Sequence, residues 1–377
     1  FDETNKKIMK IDINFNLEKN INDYRYNIPR IIHQSYKSKI RINNYKAIQS
    51  WQFLNNNYYY KYWDDNNIIS FIKTHFDDKV FDAYESLYAG ACKSDIFRLC
   101  LLYFYGGIWS DISAICEYPL DLIIENEDDL IICCDHPSQV HCGNIYQAFI
   151  ITKPNNHIIK FILDYTVNKV LKHESFNEFY KLEHKHPGGL INQSIAITGP
   201  TIFAIALNIY LNRDISSKFI EEEIYTYDKL TRKKLKIKFI SHISSWDTLP
   251  VEMIREIYPS QEEQNKVSKQ SGIIVSNIKK KIYITTKYHK WYLDRENKHY
   301  SNLLSDGYIY KKKLKNINID ENNETIFQIW IQSKWVSDKM FSSVNTFIKK
   351  NPNFNYKIYD NDDINDLFLK YNYKKIS

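Results

Sequence analysis

The residues whose types and spacing suggest chemistry lie around GGIWSDIS, residues 106–113. A double glycine ends a helix here, and a short strand over Ile108 to Ser110 delivers Asp111, with Ser113 two residues later. Two acids in this arrangement commonly hold a divalent metal against a diphosphate. Because the second acid is replaced by a serine, the pattern predicts a metal and nucleotide site whose protein ligands are incomplete.

Two further charged residues lie upstream, in SLYAGACKSDIFRLCLLYFY. This stretch is apolar nearly all round, which predicts a buried helix from about Phe81 to Tyr105. Asp95 and Arg98 stand three residues apart and therefore share one face of that helix. Buried charges need partners, so the two residues either bind a ligand or pair only with each other. The sequence leaves both interpretations open.

The elements before this helix alternate between strand and helix patterns. We predict strands over Arg30 to Gln34 and Tyr58 to Trp63, each followed by a helix, with Asp64 or Asp65 as the cap of the second helix. Later strand patterns are DDLIICCD, QAFIITK and KLKIKFI. This alternation predicts an α/β fold with a mostly parallel, doubly wound sheet and helices on both faces.

Composition excludes several classes of protein. Of the 377 residues, 44% are hydrophobic and 25% are charged, so the chain can bury a core and is not disordered by composition. A net charge of +6 is far from a nucleic-acid-binding signature. We also find no apolar run of the roughly 18 residues that a membrane span requires.

A cluster of cysteines and histidines raises the alternative of a zinc site. CCDHPSQVHC contains Cys133, Cys134, His136, His141 and Cys142. Their spacing matches no C-x-x-C pairing, so strand cysteines followed by a polar loop are the favoured interpretation.

The C-terminal residues repeat the pattern of the N-terminal ones. ETIFQIWIQSKW echoes PRIIHQSYK, with Ser333 answering Ser35, and YKIYDNDDINDLF echoes YYKYWDDNNIISFI, with Tyr359 answering Trp63. We therefore divide the chain into a lead-in (1–27), an α/β domain (28–295), a linker (296–323) and the start of a second, truncated copy of the same domain (324–377).

Four stretches together resemble glycosyltransferase family 32, the mannosyltransferase-like glycosyltransferases with a DXD sugar-binding motif, to which the clostridial glucosylating toxins are related in architecture. The stretches are IPRIIHQSYK, SW…NNNYYYKYWDD, AGACKSDIFRLCLLYFYGGIWSDIS and ITGP. The third is the specific one, because it joins a Ser-Asp-x-x-Arg helix to a double glycine and an acidic strand end. The resemblance implies a GT-A type, Rossmann-like fold and transfer from a UDP- or GDP-sugar with retention of the anomeric configuration.

The resemblance also implies roles for individual residues. Asp95 and Arg98 would hold the hydroxyls and phosphate of the donor, and Asp111 would hold its ribose or the metal. The implied donor-binding residues are Gln34, Tyr36, Gly107, Trp109 and Gln147. The family usually has Trp in place of Tyr36 and Asn in place of Gln147.

The implied metal is Mn²⁺ or Mg²⁺, and we expect it to bind weakly. Its candidate ligands are Asp111, Ser113, His242 and His289. A serine hydroxyl is a far weaker ligand than a carboxylate. The histidines belong to HISSW and KYHKWY, two imperfect matches to a late His-Ser-Trp motif of the family, and an exposed loop histidine is the commoner explanation of each.

These observations predict a metal-assisted, retaining glycosyltransferase that acts on a glycan or protein acceptor, in a polypeptide with a second glycosyltransferase domain. One alternative, motivated by Ser113, is a degenerate domain that keeps the fold and the nucleotide pocket but no longer transfers. Another is a nucleic-acid-binding protein that uses the basic, aromatic segment 279–313, although this segment contains no recognisable module.

Codon bias towards Asn, Lys, Ile, Tyr and Phe suggests a giant virus or a protist. We expect a cytoplasmic location, which includes a viral factory. The lumen of the secretory pathway is the alternative, because the chain starts at Phe1 and not at a methionine.

Overall fold

The structure, a computed structural model, describes residues 27–36, 42–135, 145–173, 197–243, 255, 260–261, 272–276, 281–286, 310–317, 323–329 and 333–370. Most of the predicted lead-in, most of the predicted linker, and His136, His141, Cys142 and His289 lie outside these ranges. Cys133 and Cys134 are buried in a strand. In the part of the chain that the structure describes, no helix combines the length and apolar character needed to cross a bilayer.

The elements alternate as predicted in the first half of the chain. The helices are α1 (Ile42–Leu54), α2 (Asp65–His75), α3 (Asp78–Ser86), α4 (Gly90–Tyr105), α5 (His157–Leu171), α6 (Pro200–Tyr210), α7 (Asp338–Lys350) and α8 (Asn361–Lys370). The strands are β1 (Ile31–Ser35), β2 (Tyr59–Trp63), β3 (Gly107–Ser110), β4 (Ile115–Cys116), β5 (Leu130–Asp135), β6 (Ile145–Thr152), β7 (Glu223–Tyr227), β8 (Lys234–Ile243), β9 (Gly272–Ser276), β10 (Lys281–Thr286), β11 (Lys312–Lys313), β12 (Thr325–Ile329), β13 (Trp335–Val336) and β14 (Asn355–Tyr359).

The largest sheet in the described residues has the strand order β2-β1-β3-β6-β5-β8-β9-β10-β4, and β7 pairs with β8. Of its first six strands, five run in the same direction, because β1 pairs in parallel with β2 and β3, and β5 with β8. β6 runs antiparallel to both of its neighbours. This is the mostly parallel α/β sheet of GT-A type that the sequence predicts, extended by antiparallel strands at one side.

Two hydrophobic layers cover the sheet, one on each face. One layer contains residues of α2 to α6, with Phe97 and Ile162 among its fully buried members. The other contains residues of α1 and of the segment between Asp111 and β5, including Trp51 and Leu120. Helices on both faces are therefore confirmed. The two layers hold the central strands in place, so that the carboxyl ends of the parallel strands lie along one edge of the sheet.

The predicted single helix from Phe81 to Tyr105 is two helices. α3 ends at Ser86 and α4 begins at Gly90, with extended backbone between them. Leu87 in this gap forms an antiparallel bridge with Tyr310. The apolar pattern continues through the gap because Leu87 is fully buried, so periodicity alone could not show the break.

Residues 325–370 form a second strand–helix–strand–helix unit, in which β12 pairs in parallel with β14. Ile329 lies opposite Tyr359, just as Ser35 lies opposite Trp63 in the first unit. Ile329 therefore answers Ser35, whereas the sequence comparison assigns Ser333 to this position. The strand pairing shifts that residue assignment by four.

Candidate functional site

Asp111 lies at the carboxyl edge of the central strands, directly after β3. Its backbone N–H donates to the Ala148 carbonyl of β6 at 2.9 Å, and its side chain is 37% exposed. Open α/β sheets bind ligands along this edge. The acid is therefore held by its backbone while its carboxylate faces solvent.

A tight turn from α4 into β3 delivers Asp111 to this edge. Gly106 and Gly107 have φ angles of +64° and +89°, which side chains other than glycine rarely adopt. A Cβ on Gly107 would also lie 2.6 Å from the Ile31 carbonyl oxygen of β1. The double glycine thus allows β3 to approach β1 closely.

His33 fixes the same turn from below. Its Nε2 donates to the Gly106 carbonyl at 3.1 Å, because its Nδ1 accepts the Trp63 indole N–H at 3.3 Å. Burial lowers the pKa of His33 to about 3, so the ring is neutral in this tautomer. His33 is a positioning residue that our sequence analysis did not single out.

The Arg98 guanidinium joins the two acids that the sequence proposes for the site. Its Nη2 lies 3.1 Å from Asp95 Oδ1 and 3.6 Å from Asp111 Oδ1. Its Nη1 donates to the Gln147 carbonyl at 2.7 Å. Arg98 is only 5% exposed, and its Nε has no partner among the described residues. Asp95 and Arg98 are therefore not paired only with each other, since Asp111 shares the same guanidinium.

Asp95 is a buried acid with a raised pKa, so it binds a proton more readily than an exposed aspartate. Burial raises its pKa to about 7, against the opposing effects of Arg98 and of the Thr198 hydroxyl, which donates to Asp95 Oδ2 at 2.9 Å. The nearby Asp111 carboxylate raises the pKa of Asp95 further. Thr198 belongs to the ITGP stretch, so a sequence signal existed for it, but we assigned it no role.

Trp109 and Gln147 line the same cluster. The Trp109 indole N–H donates to Asp111 Oδ1 at 3.2 Å, and the Arg98 guanidinium lies over its ring at 5.2 Å. Gln147 is buried, and its Nε2 donates to the Thr198 carbonyl at 3.3 Å. Both side chains thus hold the charged residues in place.

Gln34 and Tyr36 lie beneath and beside Asp111 at the end of β1. Gln34 is fully buried; its Oε1 accepts the Tyr60 hydroxyl at 2.6 Å, and its Nε2 donates to the Asp111 carbonyl at 3.1 Å. Tyr36 is half-buried, and its carbonyl accepts the Tyr62 hydroxyl at 2.9 Å. The structure therefore uses both ends of the Gln34 amide inside the protein.

The candidate metal ligands are only partly brought together. Ser113 lies in the turn that the Ala114 N–H closes onto the Asp111 carbonyl at 2.9 Å. His242 lies on β8, three strands from β3 and thus roughly 14 Å away, with its ring stacked on Tyr146 at 3.7 Å. The structure does not bring His242 to Asp111.

A separate acidic cluster lies near the opposite edge of the sheet, around the start of β5. Ligand atoms of Glu125, Asp128 and Glu223 lie within 4.8 Å of one another. Lys236 Nζ is 2.8 Å from Glu125, and Lys238 Nζ is 2.7 Å from Asp128. Because two ammonium groups already form ion pairs with these three carboxylates, we assign no metal to this cluster.

Helix α1 holds the segment that follows Asp111. The Trp51 indole donates to the Ala114 carbonyl at 2.8 Å, and Asn55 Oδ1 accepts the Leu120 N–H at 2.7 Å. Ser-Trp and Asn in the motif SW…NNN therefore act as supports for the site loop.

The described residues form an α/β domain in which α4 and β3 bring Asp95, Arg98 and Asp111 together at the carboxyl edge of the central strands. Residues 43–129, from α1 to the start of β5, match the family model described as "Glycosyltransferase sugar-binding region containing DXD motif". Residues 43–129 are therefore similar to the sugar-binding region of the DXD-motif glycosyltransferases, and the matched segment includes Asp111 and Ser113.

Two further comparisons gave matches. Over 98 residues the chain is 33% identical to "Uncharacterized glycosyltransferase L373" of Acanthamoeba polyphaga mimivirus, a match that covers 24% of this chain and 37% of that protein. The chain thus spans little more than a third of its relative's length. A solved structure titled "PaToxG Glycosyltransferase" is 20% identical, with a TM-score of 0.35 over 49% of this chain and 70% of that chain.

Proposed function

We propose that this chain is a glycosyltransferase that moves a sugar from a UDP- or GDP-sugar to a glycan or protein acceptor. The observation that carries the proposal is the Asp95–Arg98–Asp111 cluster at the carboxyl edge. All three residues lie within the segment that matches a sugar-binding region. A purely structural ion pair would not need a second acid at the solvent-facing end.

The cluster suits the charges of the reaction. In the transfer, the bond between the anomeric carbon and the diphosphate oxygen breaks, and the acceptor hydroxyl oxygen bonds to that carbon and loses its proton. The leaving diphosphate gains negative charge, which the Arg98 guanidinium stabilises. Asp95, with its pKa near 7, donates or accepts a hydrogen bond to a sugar hydroxyl. Because we propose that transfer retains the anomeric configuration, the acceptor oxygen would bond on the face that the diphosphate leaves.

The described residues fit only a weakly held divalent cation. Asp111 offers one exposed carboxylate and Ser113 one hydroxyl, which are fewer charged oxygens than a DXD pair supplies. A bound Mn²⁺ or Mg²⁺ would supply positive charge to the diphosphate. We therefore propose that the nucleotide phosphates complete its coordination. Calorimetric titration of Mn²⁺ should show binding only when UDP or GDP is present; tight binding to the protein alone would contradict this.

A screen of nucleotide-sugars tests the proposal as a whole. UDP- and GDP-sugars are added to the protein with and without Mn²⁺, and the shift in unfolding temperature is recorded. A donor at a hundredfold its Kd should stabilise the fold by about 2.7 kcal/mol. Failure of every nucleotide-sugar to stabilise the fold would contradict the proposal.

Ser113 supports a second candidate, a domain that binds the donor but no longer transfers the sugar. The two candidates differ in donor hydrolysis, measured as release of UDP or GDP. A transferase should hydrolyse its donor slowly, and Ser113→Asp should increase the rate. If neither form hydrolyses a donor that both bind, the non-catalytic candidate is the correct one.

A further inference from the structure

Tyr60 has no task assigned so far, and Gln34 has only the donor-binding role implied by the resemblance, yet the buried pair reaches Asp111. The Tyr60 hydroxyl donates to Gln34 Oε1 at 2.6 Å, and Gln34 Nε2 donates to the Asp111 carbonyl at 3.1 Å. Tyr60 is 2% exposed and Gln34 fully buried, so neither side chain meets solvent or a ligand at the edge.

The two hydrogen bonds act in series. An amide can present either its oxygen or its nitrogen to a neighbour, and the Tyr60 hydroxyl selects one orientation by donating to the oxygen. The amide nitrogen then points to the Asp111 carbonyl, which also accepts the Ala114 N–H. This carbonyl is the start of the turn that contains Ser113.

From these contacts we infer that Tyr60 and Gln34 are positioning residues that set the backbone of Asp111, and through it the direction of its carboxylate. The consequence for the reaction rests on the proposed donor site. Without the pair, the peptide after Asp111 loses a buried donor and gains freedom to rotate, and the carboxylate leaves Trp109 and Arg98. Gln34 then serves the donor through Asp111 and does not touch the base.

Tyr60→Phe tests the inference, with Tyr58→Phe as its matched control. Tyr58 lies just before the same strand and donates its hydroxyl to Asp121 at 2.7 Å, at the edge far from Asp111. Both changes remove one hydroxyl and its hydrogen bond. Tyr60→Phe should weaken binding of the nucleotide-sugar about three- to tenfold, whereas Tyr58→Phe should leave it unchanged. Gln34→Met should weaken binding more, and Gln34→Met with Tyr60→Phe no further, because the contacts are in series.

A second readout keeps this inference separate from the proposed function. The ¹⁵N-labelled Trp109 indole N–H, identified by its loss in Trp109→Phe, reports the Asp111 carboxylate in the ligand-free protein. Its NMR signal should move in Tyr60→Phe and Gln34→Met and stay in place in Tyr58→Phe. If the signal moves but no nucleotide-sugar binds the unaltered protein, the proposed function fails and the positioning role stands. An unmoved signal, or equal donor affinity in Tyr60→Phe and Tyr58→Phe, overturns the inference.

Discussion

The chain contains two strand–helix–strand–helix units, residues 31–75 and 325–370, whose local hydrogen bonds agree. In the first, Asn55 Nδ2 donates to the Trp51 carbonyl at 3.1 Å at the end of α1. In the second, Asn351 Nδ2 donates to the Phe347 carbonyl at 2.9 Å at the end of α7. The parallel strand pairs share one register. The two segments therefore share one local arrangement of strands, helices and hydrogen bonds.

The two units differ in what covers them. Trp51 is fully buried, whereas Phe347 is 46% exposed, and His33 is fully buried where Phe327 is 63% exposed. β3, α4 and the loop after Asp111 cover the first unit, and the described residues provide no counterpart for the second. The strand–helix–strand–helix unit therefore serves as a scaffold in the first case. Helix α4, strand β3 and the loop after Asp111 add the residues of the candidate site.

The largest expected effect compares the covered position Trp51 of the first unit with its exposed counterpart Phe347 in the second. Trp51→Ala should lower the free energy of unfolding by roughly 3–5 kcal/mol, because it empties a buried site and leaves the Ala114 carbonyl without its donor. Phe347→Ala should cost less than about 1 kcal/mol, since its ring is already half in solvent. Urea unfolding of both variants gives the comparison. Equal costs would show that cover does not distinguish the units.

Disturbing the close approach of β3 to β1 should give the next largest loss of stability. Gly107→Ala should destabilise the fold by roughly 2–4 kcal/mol, because its φ of +89° and the contact to the Ile31 carbonyl both oppose a Cβ. Gly90→Ala is the matched control, since a Cβ there meets nothing within 4 Å. Thermal unfolding of the two variants should differ clearly; similar midpoints would contradict the tight β1–β3 contact.

His33→Phe gives the first unit the residue that the second one has. The folded-state pKa of His33, about 3, lies below its unfolded value of 6.5, so the unfolded state binds more protons between these values. Stability present above pH 6.5 is lost as pH falls, by roughly 2 kcal/mol between pH 6.5 and 5. His33→Phe should abolish this acid loss while costing about 1–3 kcal/mol at pH 7.5 through its unpaired neighbours.

Urea unfolding at pH 7.5 and pH 5 measures the effect, with Phe327→His as the converse control. A histidine at that exposed position should add no acid sensitivity. Equal acid sensitivity in His33→Phe and the unaltered protein would assign the effect to another group.

Asp95→Asn should change the pH dependence in the opposite direction, over an overlapping range of pH. The folded-state pKa of Asp95, about 7, lies above its unfolded value of 3.8, so the folded state holds more protons between these values. Stability therefore falls as pH rises from about 4 to about 7, by roughly 1–3 kcal/mol. Asn removes this fall. Unfolding midpoints at pH 5 and pH 8 give the test, and parallel profiles for both proteins would contradict the raised pKa.

Much of the site could be predicted because its signals are local. The double glycine, the strand end at Asp111 and the spacing of Asp95 and Arg98 are short patterns with direct geometric consequences. The contacts that complete the site are long-range: the Thr198 hydroxyl reaches Asp95 across 103 positions of the chain, and Tyr60 reaches Gln34 from a neighbouring strand. No periodicity in the sequence encodes such pairings.

The same reason explains the features of the fold that the sequence did not predict. The antiparallel insertion of β6 between β3 and β5 follows from the order of strands in space, which strand patterns do not contain. The sequence comparison aligned Ser333 with Ser35 because the residue types agree. The pairing of Ile329 with Tyr359 in the structure shows that Ile329 occupies this position.

The most direct test of the account is calorimetric titration of UDP- and GDP-sugars into the unaltered protein and Arg98→Ala. Arg213→Ala serves as the matched control, because this arginine lies in an exposed loop, where its guanidinium contacts the Lys218 carbonyl and the Phe219 ring and not an acid of the site. We predict that one donor binds the unaltered protein and Arg213→Ala equally. Arg98→Ala should bind it about 10- to 100-fold more weakly, through loss of charge-assisted hydrogen bonds. Undiminished binding by Arg98→Ala would contradict a donor site built on Asp95, Arg98 and Asp111.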